Sequence, residues 1–130
     1  MKNKKVLVVD DEIHIVHVVA IKLRNNGYEV ISANNGAEAF ELACRDKPDI
    51  IVTDFQMPAM TGMELVEKLR QREETKDTPI IMLTARSFAI SKEQQEQMNI
   101  SNCLSKPFSP RELMGNIEDI LYQKELSAEN

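Results

Sequence analysis

Five short runs of mainly apolar residues alternate along the chain with longer segments of helical periodicity. The runs are KVLVV, EVISA, DIIVT, PIIML and NCLS, at residues 5–9, 29–33, 49–53, 79–83 and 102–105. Continuous apolar runs of this length are typical of strands that are buried on both faces, as in a parallel sheet. Because parallel neighbours need a crossover connection, the alternation predicts right-handed βαβ units and an α/β fold.

The segments between these runs carry helix signals of their own. In the first, Ile13, Val16, Ala20 and Leu23 share one helical face, and Gly27 suits the position just after a helix end. Apolar stripes also occur at 34–45, 61–73 and 109–125, and the last of these segments opens with Ser109 as a helix cap. These patterns predict four firmly packed helices.

The segment at 88–98 is different, because its stretch SKEQQEQ at 91–97 is polar nearly all round. We take Ile90 and Met98 as its plausible apolar anchors. A polar segment of this kind buries little surface against a core. We therefore predict a loosely held helix there.

Composition limits the class of protein. A chain of 130 residues with 42% hydrophobic and 28% charged residues is expected to form one globular domain, with a core at about 4–126 and a tail at 127–130. The net charge of −5 argues against a nucleic-acid surface in this chain. The first apolar run stops at Asp10, and no segment reaches membrane-spanning length, so we expect a cytoplasmic protein without membrane contact whose cysteines are reduced.

Polar side chains follow the predicted strands at their carboxyl ends. Asp10 and Asp11 follow the first strand, Asp54 the third, Thr84 the fourth and Lys106 the fifth. In a flavodoxin-like, doubly wound (βα)5 sheet of order 2-1-3-4-5, which we adopt partly by analogy, strands one and three are neighbours. All of these side chains would then meet at one edge of the sheet, where ligands bind in such folds.

Three carboxylates at one edge repel each other, and burying them is costly. Lys106 supplies a single positive charge. A hard divalent cation with oxygen ligands would complete the site, and Mg²⁺ suits two or so carboxylates that also bind an incoming phosphate. The sequence therefore predicts a Mg²⁺ (or Mn²⁺) site that holds a phosphoryl group.

Four motifs carry a family resemblance. They are VDDE at 9–12, TDFQMPAMTG at 53–62, LTA at 83–85 and SKPF at 105–108. In this order and spacing, on a five-stranded α/β scaffold, the chain resembles the response-regulator receiver domains of two-component signalling over nearly its whole length.

The resemblance implies a phosphorylation site at Asp54. It implies metal ligation by Asp11 and Asp54, by Asp10 mainly through a bound water, and by the backbone carbonyl of Gln56. Receiver domains take a phosphoryl group from a sensor histidine kinase or a histidine phosphotransferase and pass the signal to a downstream protein.

The same resemblance implies roles for four further residues. Lys106 would pair with the acceptor and then with a phosphoryl oxygen, and its bond to Pro107 would be cis. The hydroxyl of Thr84 and the amide of Ala85 would bind the phosphoryl group. Gln56 and Arg86 would tune the lifetime of the acyl phosphate by admitting or blocking water.

Cys103 departs from the family pattern. The position three before the lysine usually holds Tyr or Phe, whose rotamer couples to the movement of the threonine. A cysteine there puts the usual aromatic switch in doubt, and its simplest interpretation is a small buried side chain. We still expect a conformational shift on the face formed by helix 4, strand 5 and helix 5.

Two alternatives are open from the sequence. One is a receiver-like module that binds partners without being phosphorylated. The other is a phosphohydrolase with an aspartate nucleophile, although such enzymes need a second carboxylate at the position of Gln56. The main prediction is a signalling phosphoacceptor that catalyses only its own phosphorylation and dephosphorylation, and is not an enzyme with free turnover.

Overall fold

A parallel sheet with helices on both faces makes up the computed structural model, which describes residues 4–85 and 90–129. The strands in these ranges are β1 Lys5–Val9, β2 Glu29–Ala33, β3 Ile50–Asp54, β4 Ile80–Ala85 and β5 Asn102–Lys106. The helices are α1 Ile13–Asn25, α2 Gly36–Asp46, α3 Gly62–Arg70, α4 Lys92–Gln97 and α5 Pro110–Glu129. The sheet order is β2-β1-β3-β4-β5, which confirms the predicted fold and strand order.

The sheet separates two apolar cores, because successive strand residues point to opposite faces. Val6 and Val8 of β1 face the first core, which also contains Leu113 and Ile117 of α5. Leu7 and Val9 face the second core, whose helical part comes from α2 and α3. Burial on both faces explains why the strands are continuously apolar instead of alternating.

One predicted core residue of α1 is exposed. Ile13 is 59% exposed, whereas Val19, which the stripe omitted, is buried with Val16 and Leu23. Val16, Val19 and Leu23 lie at i, i+3 and i+7, and this spacing defines the buried face. Ile13 borders that face in the first turn of the helix, where its side chain extends past the core.

Helix α4 is shorter than predicted and buries no side chain. Ile90 precedes the helix and is 9% exposed, and Met98, at its C-cap, is partly buried. The two predicted anchors therefore flank the helix instead of lying within it, and residues 88–89 of the predicted segment lie outside the described residues. A capping box between Ser91 and Gln94 begins the helix.

The helix ends largely follow their sequence signals. Gly27 has a φ of 91°, which favours glycine, and the Ser109 hydroxyl accepts from the Glu112 amide at 3.0 Å. Helix α5 continues through Glu129, so the tail predicted from residue 127 is wrong for residues 127–129, where no glycine or proline ends the helix. Within the described ranges, no helix has the length and hydropathy needed to cross a membrane.

Candidate functional site

Three aspartates converge at the carboxyl edge of the sheet. Asp10 follows β1 directly, Asp54 ends β3, and the two strands pair in parallel with Val9 opposite Thr53. One carboxylate oxygen from each of Asp10, Asp11 and Asp54 lies within 4.8 Å of the other two. The three carboxylates therefore meet at one edge, as the sequence predicted, and their spacing suits a single cation; the individual metal ligands stay predictions.

Lys106 extends from the end of β5 to the same carboxylates. Its Nζ lies 2.9 Å from Oδ2 of Asp10 and 3.3 Å from Oδ1 of Asp54. Burial lowers the pKa of Lys106, but the hydrogen bonds and charges of these two aspartates outweigh burial and raise the pKa above its ordinary value. The amine is therefore a positive charge held against the acidic cluster. The Lys106–Pro107 peptide bond is cis, as the resemblance implied.

Burial and a neighbouring negative charge make the surroundings of Asp54 unfavourable for its own negative charge. It is 6% exposed, and burial is the main reason that its pKa is raised. The charge of Asp10 raises the pKa further, while Lys106 opposes the shift. An additional cation at this position would stabilise the ionised form, which is the nucleophilic one.

Asp10 and Asp11 occupy different environments. Asp10 is fully buried, and its Oδ1 accepts a hydrogen bond of 3.0 Å from the amide of Glu12. Asp11 is exposed. The residue that caps α1 is Glu12, without a side-chain cap bond, so Asp11 does not cap this helix.

Thr84 and Ala85 lie on the strand next to Asp54. Asp54 pairs with Leu83 in the register of β3 and β4, so the two residues follow at the same edge of the sheet. Thr84 is 5% exposed and pairs with Ser105, whereas Ala85 is exposed and pairs with Lys106. Their predicted contacts with a phosphoryl group stay predictions.

The remaining predicted residues are spread around this edge. Gln56 is exposed in the loop after β3, while Arg86 lies outside the described residues. Cys103 pairs with Met82 and packs against the second core, and burial raises the pKa of its thiol. A partly buried, neutral thiol agrees with the interpretation of Cys103 as a small packing residue.

Glu12 is a partner of Lys106 that the sequence analysis did not assign. Its Oε1 lies 3.4 Å from Nζ of Lys106, and its Oε2 lies 3.6 Å from Nε2 of His14. The sequence signal for this contact was Glu12 itself, the third acidic residue of the VDDE motif.

With this geometry established, comparison with known proteins identifies the family. The family model for the response regulator receiver domain matches residues 6–118. The chain belongs to this family. It is therefore a receiver domain, the phosphoacceptor unit of two-component signalling.

Curated relatives include two transcriptional regulators. The chain is 40% identical over 126 residues to the alkaline phosphatase synthesis transcriptional regulatory protein PhoP of Bacillus subtilis, covering 97% of this chain and 52% of that protein. It is 39% identical to the phosphate regulon transcriptional regulatory protein PhoB of Pseudomonas aeruginosa over 121 residues, covering 93% of this chain and 53% of that protein. The chain thus spans about half the length of these relatives.

A solved structure of similar size also matches. The chemotaxis response regulator CheY4 of Vibrio cholerae is 37% identical and superposes with a TM-score of 0.84, covering 92% of this chain and 99% of that chain. The match extends over nearly all of both chains, so the whole described fold is that of a receiver domain.

Proposed function

We propose that this receiver domain accepts a phosphoryl group on Asp54 from a phosphohistidine, in a reaction that depends on Mg²⁺ or Mn²⁺. The observation that carries the proposal is the buried Asp54 carboxylate, with Lys106 Nζ at 3.3 Å and two further aspartates within reach of one cation. A nucleophile, a positive charge and a metal-binding set are together at one edge of the sheet.

In the proposed transfer, a carboxylate oxygen of Asp54 attacks the phosphorus atom of the phosphohistidine. The P–N bond breaks, its electron pair stays on the imidazole, and an acyl phosphate forms on Asp54. Asp10, Asp11, Asp54 and the carbonyl of Gln56 would hold the metal ion. When bound, this ion would neutralise charge on the phosphoryl oxygens and fix their orientation.

Lys106 changes partners in this proposal. In the unphosphorylated chain it pairs with Asp10 and Asp54, and after transfer it would pair with a phosphoryl oxygen instead. Thr84 and Ala85, at the end of the neighbouring strand, would donate hydrogen bonds to the other phosphoryl oxygens. Gln56 and Arg86 would set how readily water reaches the acyl phosphate.

The phosphate would act by shifting the equilibrium between two conformations of the face formed by α4, β5 and α5. A shift from 1:99 to 99:1 needs about 5.5 kcal/mol of differential stabilisation. Helix α4 buries no side chain, so moving it disrupts little core packing. Since Cys103 replaces the usual aromatic residue, the shift would depend on Thr84 and α4 rather than on an aromatic rotamer.

A test begins with acetyl phosphate and Mg²⁺, followed by mass spectrometry of the intact chain. We expect the mass of one phosphate to be added to the wild-type chain, and none to Asp54→Asn, which keeps the size of the side chain but not its nucleophilicity. An unmodified wild-type chain would support the phosphorylation-independent binding module. Repeated turnover of a phosphomonoester would support the phosphohydrolase.

The phosphoryl donor would dock beside α1, where a groove of about 500 Å³ adjoins the site. Lys106 lines this groove as well as contacting Asp54, and Val18 and Phe108 supply apolar walls. A histidine kinase or phosphotransferase must bring its phosphohistidine to within bonding distance of Asp54. Its surface would therefore cover this groove, and the apolar walls would pack against an apolar patch around the histidine.

We expect Val18→Glu to lower the rate of transfer from a phosphorylated sensor kinase by about tenfold, because it places a charge in an apolar contact. Val18 is 52% exposed, so the substitution should leave the fold intact. Phosphorylation by acetyl phosphate should stay near the wild-type rate. Leu126→Glu, at an exposed apolar position near the end of α5, is the matched control. Equal transfer rates for the two variants would argue against docking in this groove.

A further inference from the structure

Arg70, the last residue of α3, connects two segments that are distant in sequence. Its Nη1 donates to the carbonyls of Thr75, Lys76 and Thr78 at 3.2, 2.9 and 2.8 Å. Its Nε and Nη2 donate to the carbonyls of Met98 and Asn99, each at 2.9 Å. One guanidinium thus joins the loop after α3 to the turn that ends α4.

The backbone carbonyls in the turn after α4 require hydrogen-bond donors from outside the helix. Asn99 has a φ of 53°, in the left-handed region, and reverses the chain before Ile100. The last carbonyls of a helix have no partner within the helix, and a cation at that end is favourable. Because α4 buries no side chain of its own, these hydrogen bonds add to the flanking apolar residues in connecting it to the rest of the fold.

The other side of the connection is fixed independently of α4. Thr75 is fully buried, and its hydroxyl donates to the carbonyl of Leu69 at 2.6 Å. Burial lowers the pKa of Arg70, an effect that Asp77 opposes, yet an arginine side chain stays protonated in proteins. Arg70 therefore presents a permanent charge from a fixed loop to the end of α4.

We infer that Arg70 is a positioning residue that fixes the C-terminal end of α4. On the function proposed above, phosphorylation then alters the N-terminal end of α4 and leaves the end held by Arg70 in place. The planar guanidinium is needed for this role, since its donors diverge toward two separate sets of carbonyls. The inference concerns α4 itself, so its first test does not depend on phosphorylation.

The first test measures amide hydrogen exchange in the unphosphorylated chain by NMR. The amides of Met98, Asn99 and Ile100 donate to the carbonyls of Gln94, Glu96 and Gln95 and report on this turn. We expect Arg70→Met to speed their exchange by at least about tenfold and to leave the amides of β1 unchanged. The control is Arg72→Met, which removes an exposed arginine paired with Glu74.

Two results would overturn the inference at this stage. One is equal exchange of the turn in the two variants. The other is a uniform increase that includes β1, which would make Arg70 a general stabilising residue.

Arg70→Lys keeps the charge without the divergent donors, so the turn should still exchange faster than in the wild-type chain. If the amides of the turn exchanged as slowly in Arg70→Lys as in the wild-type chain, the role of the guanidinium would be contradicted. Exchange in Arg70→Lys can be measured even if Arg70→Met fails to fold.

The second test adds acetyl phosphate and Mg²⁺ and follows the amide chemical shifts. In the wild-type chain and in Arg72→Met, shifts should change at residues 92–94 and stay constant at Met98 to Ile100. In Arg70→Met, both ends of α4 should respond. Equal changes at both ends of the wild-type helix would overturn a fixed C-terminal end. A wild-type chain that gains no phosphate would instead contradict the proposed function, while the exchange result would still decide the role of Arg70.

Discussion

Replacing Lys106 with methionine is expected to slow phosphorylation by acetyl phosphate by at least about 100-fold. Nζ of Lys106 lies 3.3 Å from Oδ1 of Asp54, where the proposed transfer would place negatively charged phosphoryl oxygens that need neutralising. Methionine keeps much of the length and apolar volume of the side chain but has no charge. The loss should therefore reflect electrostatics rather than packing, and it is measured as the initial rate of mass gain.

The same substitution should strengthen the binding of Mg²⁺. Lys106 pairs with Asp10 and Asp54, so it would compete with a metal ion bound there, and removing its charge leaves the three aspartates more negative. Calorimetric titration with Mg²⁺ would measure this effect. Lys124→Met removes an exposed lysine from α5 and is the control. Slower phosphorylation together with weaker Mg²⁺ binding would indicate a disrupted site and would contradict a purely electrostatic role for Lys106.

The fold could be predicted because the three central strands β1, β3 and β4 are buried on both faces and each firmly packed helix has a clear apolar stripe. β1 and β2 have the predicted limits, and the other strands differ by at most two residues at an end. The errors occur where these signals are weak. Ile13 lies at the border of a stripe, and α4 contains no apolar residue, so its start follows the Ser91–Gln94 capping box and not an apolar pattern.

The candidate site could be predicted because its parts follow four strands that end at one edge. Asp10, Asp54 and Lys106 meet for that reason, although they are far apart in sequence. Arg70 could not be predicted in this way, because its partners are backbone carbonyls, which leave no side-chain pattern. Glu12 was visible in the motif, but its contact with Lys106 depends on a side-chain conformation that the sequence does not specify.

Replacing Gly62 with alanine is expected to lower the free energy of unfolding by about 2–3 kcal/mol. A Cβ at this position would lie 2.4 Å from the backbone carbonyl oxygen of Asp54 and 2.8 Å from Sδ of Met82. The amide of Gly62 also donates to the carbonyl of Phe55 at 2.7 Å, which holds α3 close to the end of β3. Because a backbone atom is in the way, the clash requires α3 and β3 to move apart.

Gly115→Ala is the matched control, since a Cβ at Gly115 of α5 would meet no heavy atom within 4 Å. Alanine there should raise the free energy of unfolding by about 0.5–1 kcal/mol, because glycine is unfavourable inside a helix. Urea unfolding followed by circular dichroism measures both variants. Phosphorylation measured well below the unfolding midpoint should be slower in Gly62→Ala alone, since its clash displaces Asp54, the proposed acceptor. If both variants were as stable as the wild-type chain, the tight packing of α3 against the end of β3 would be contradicted.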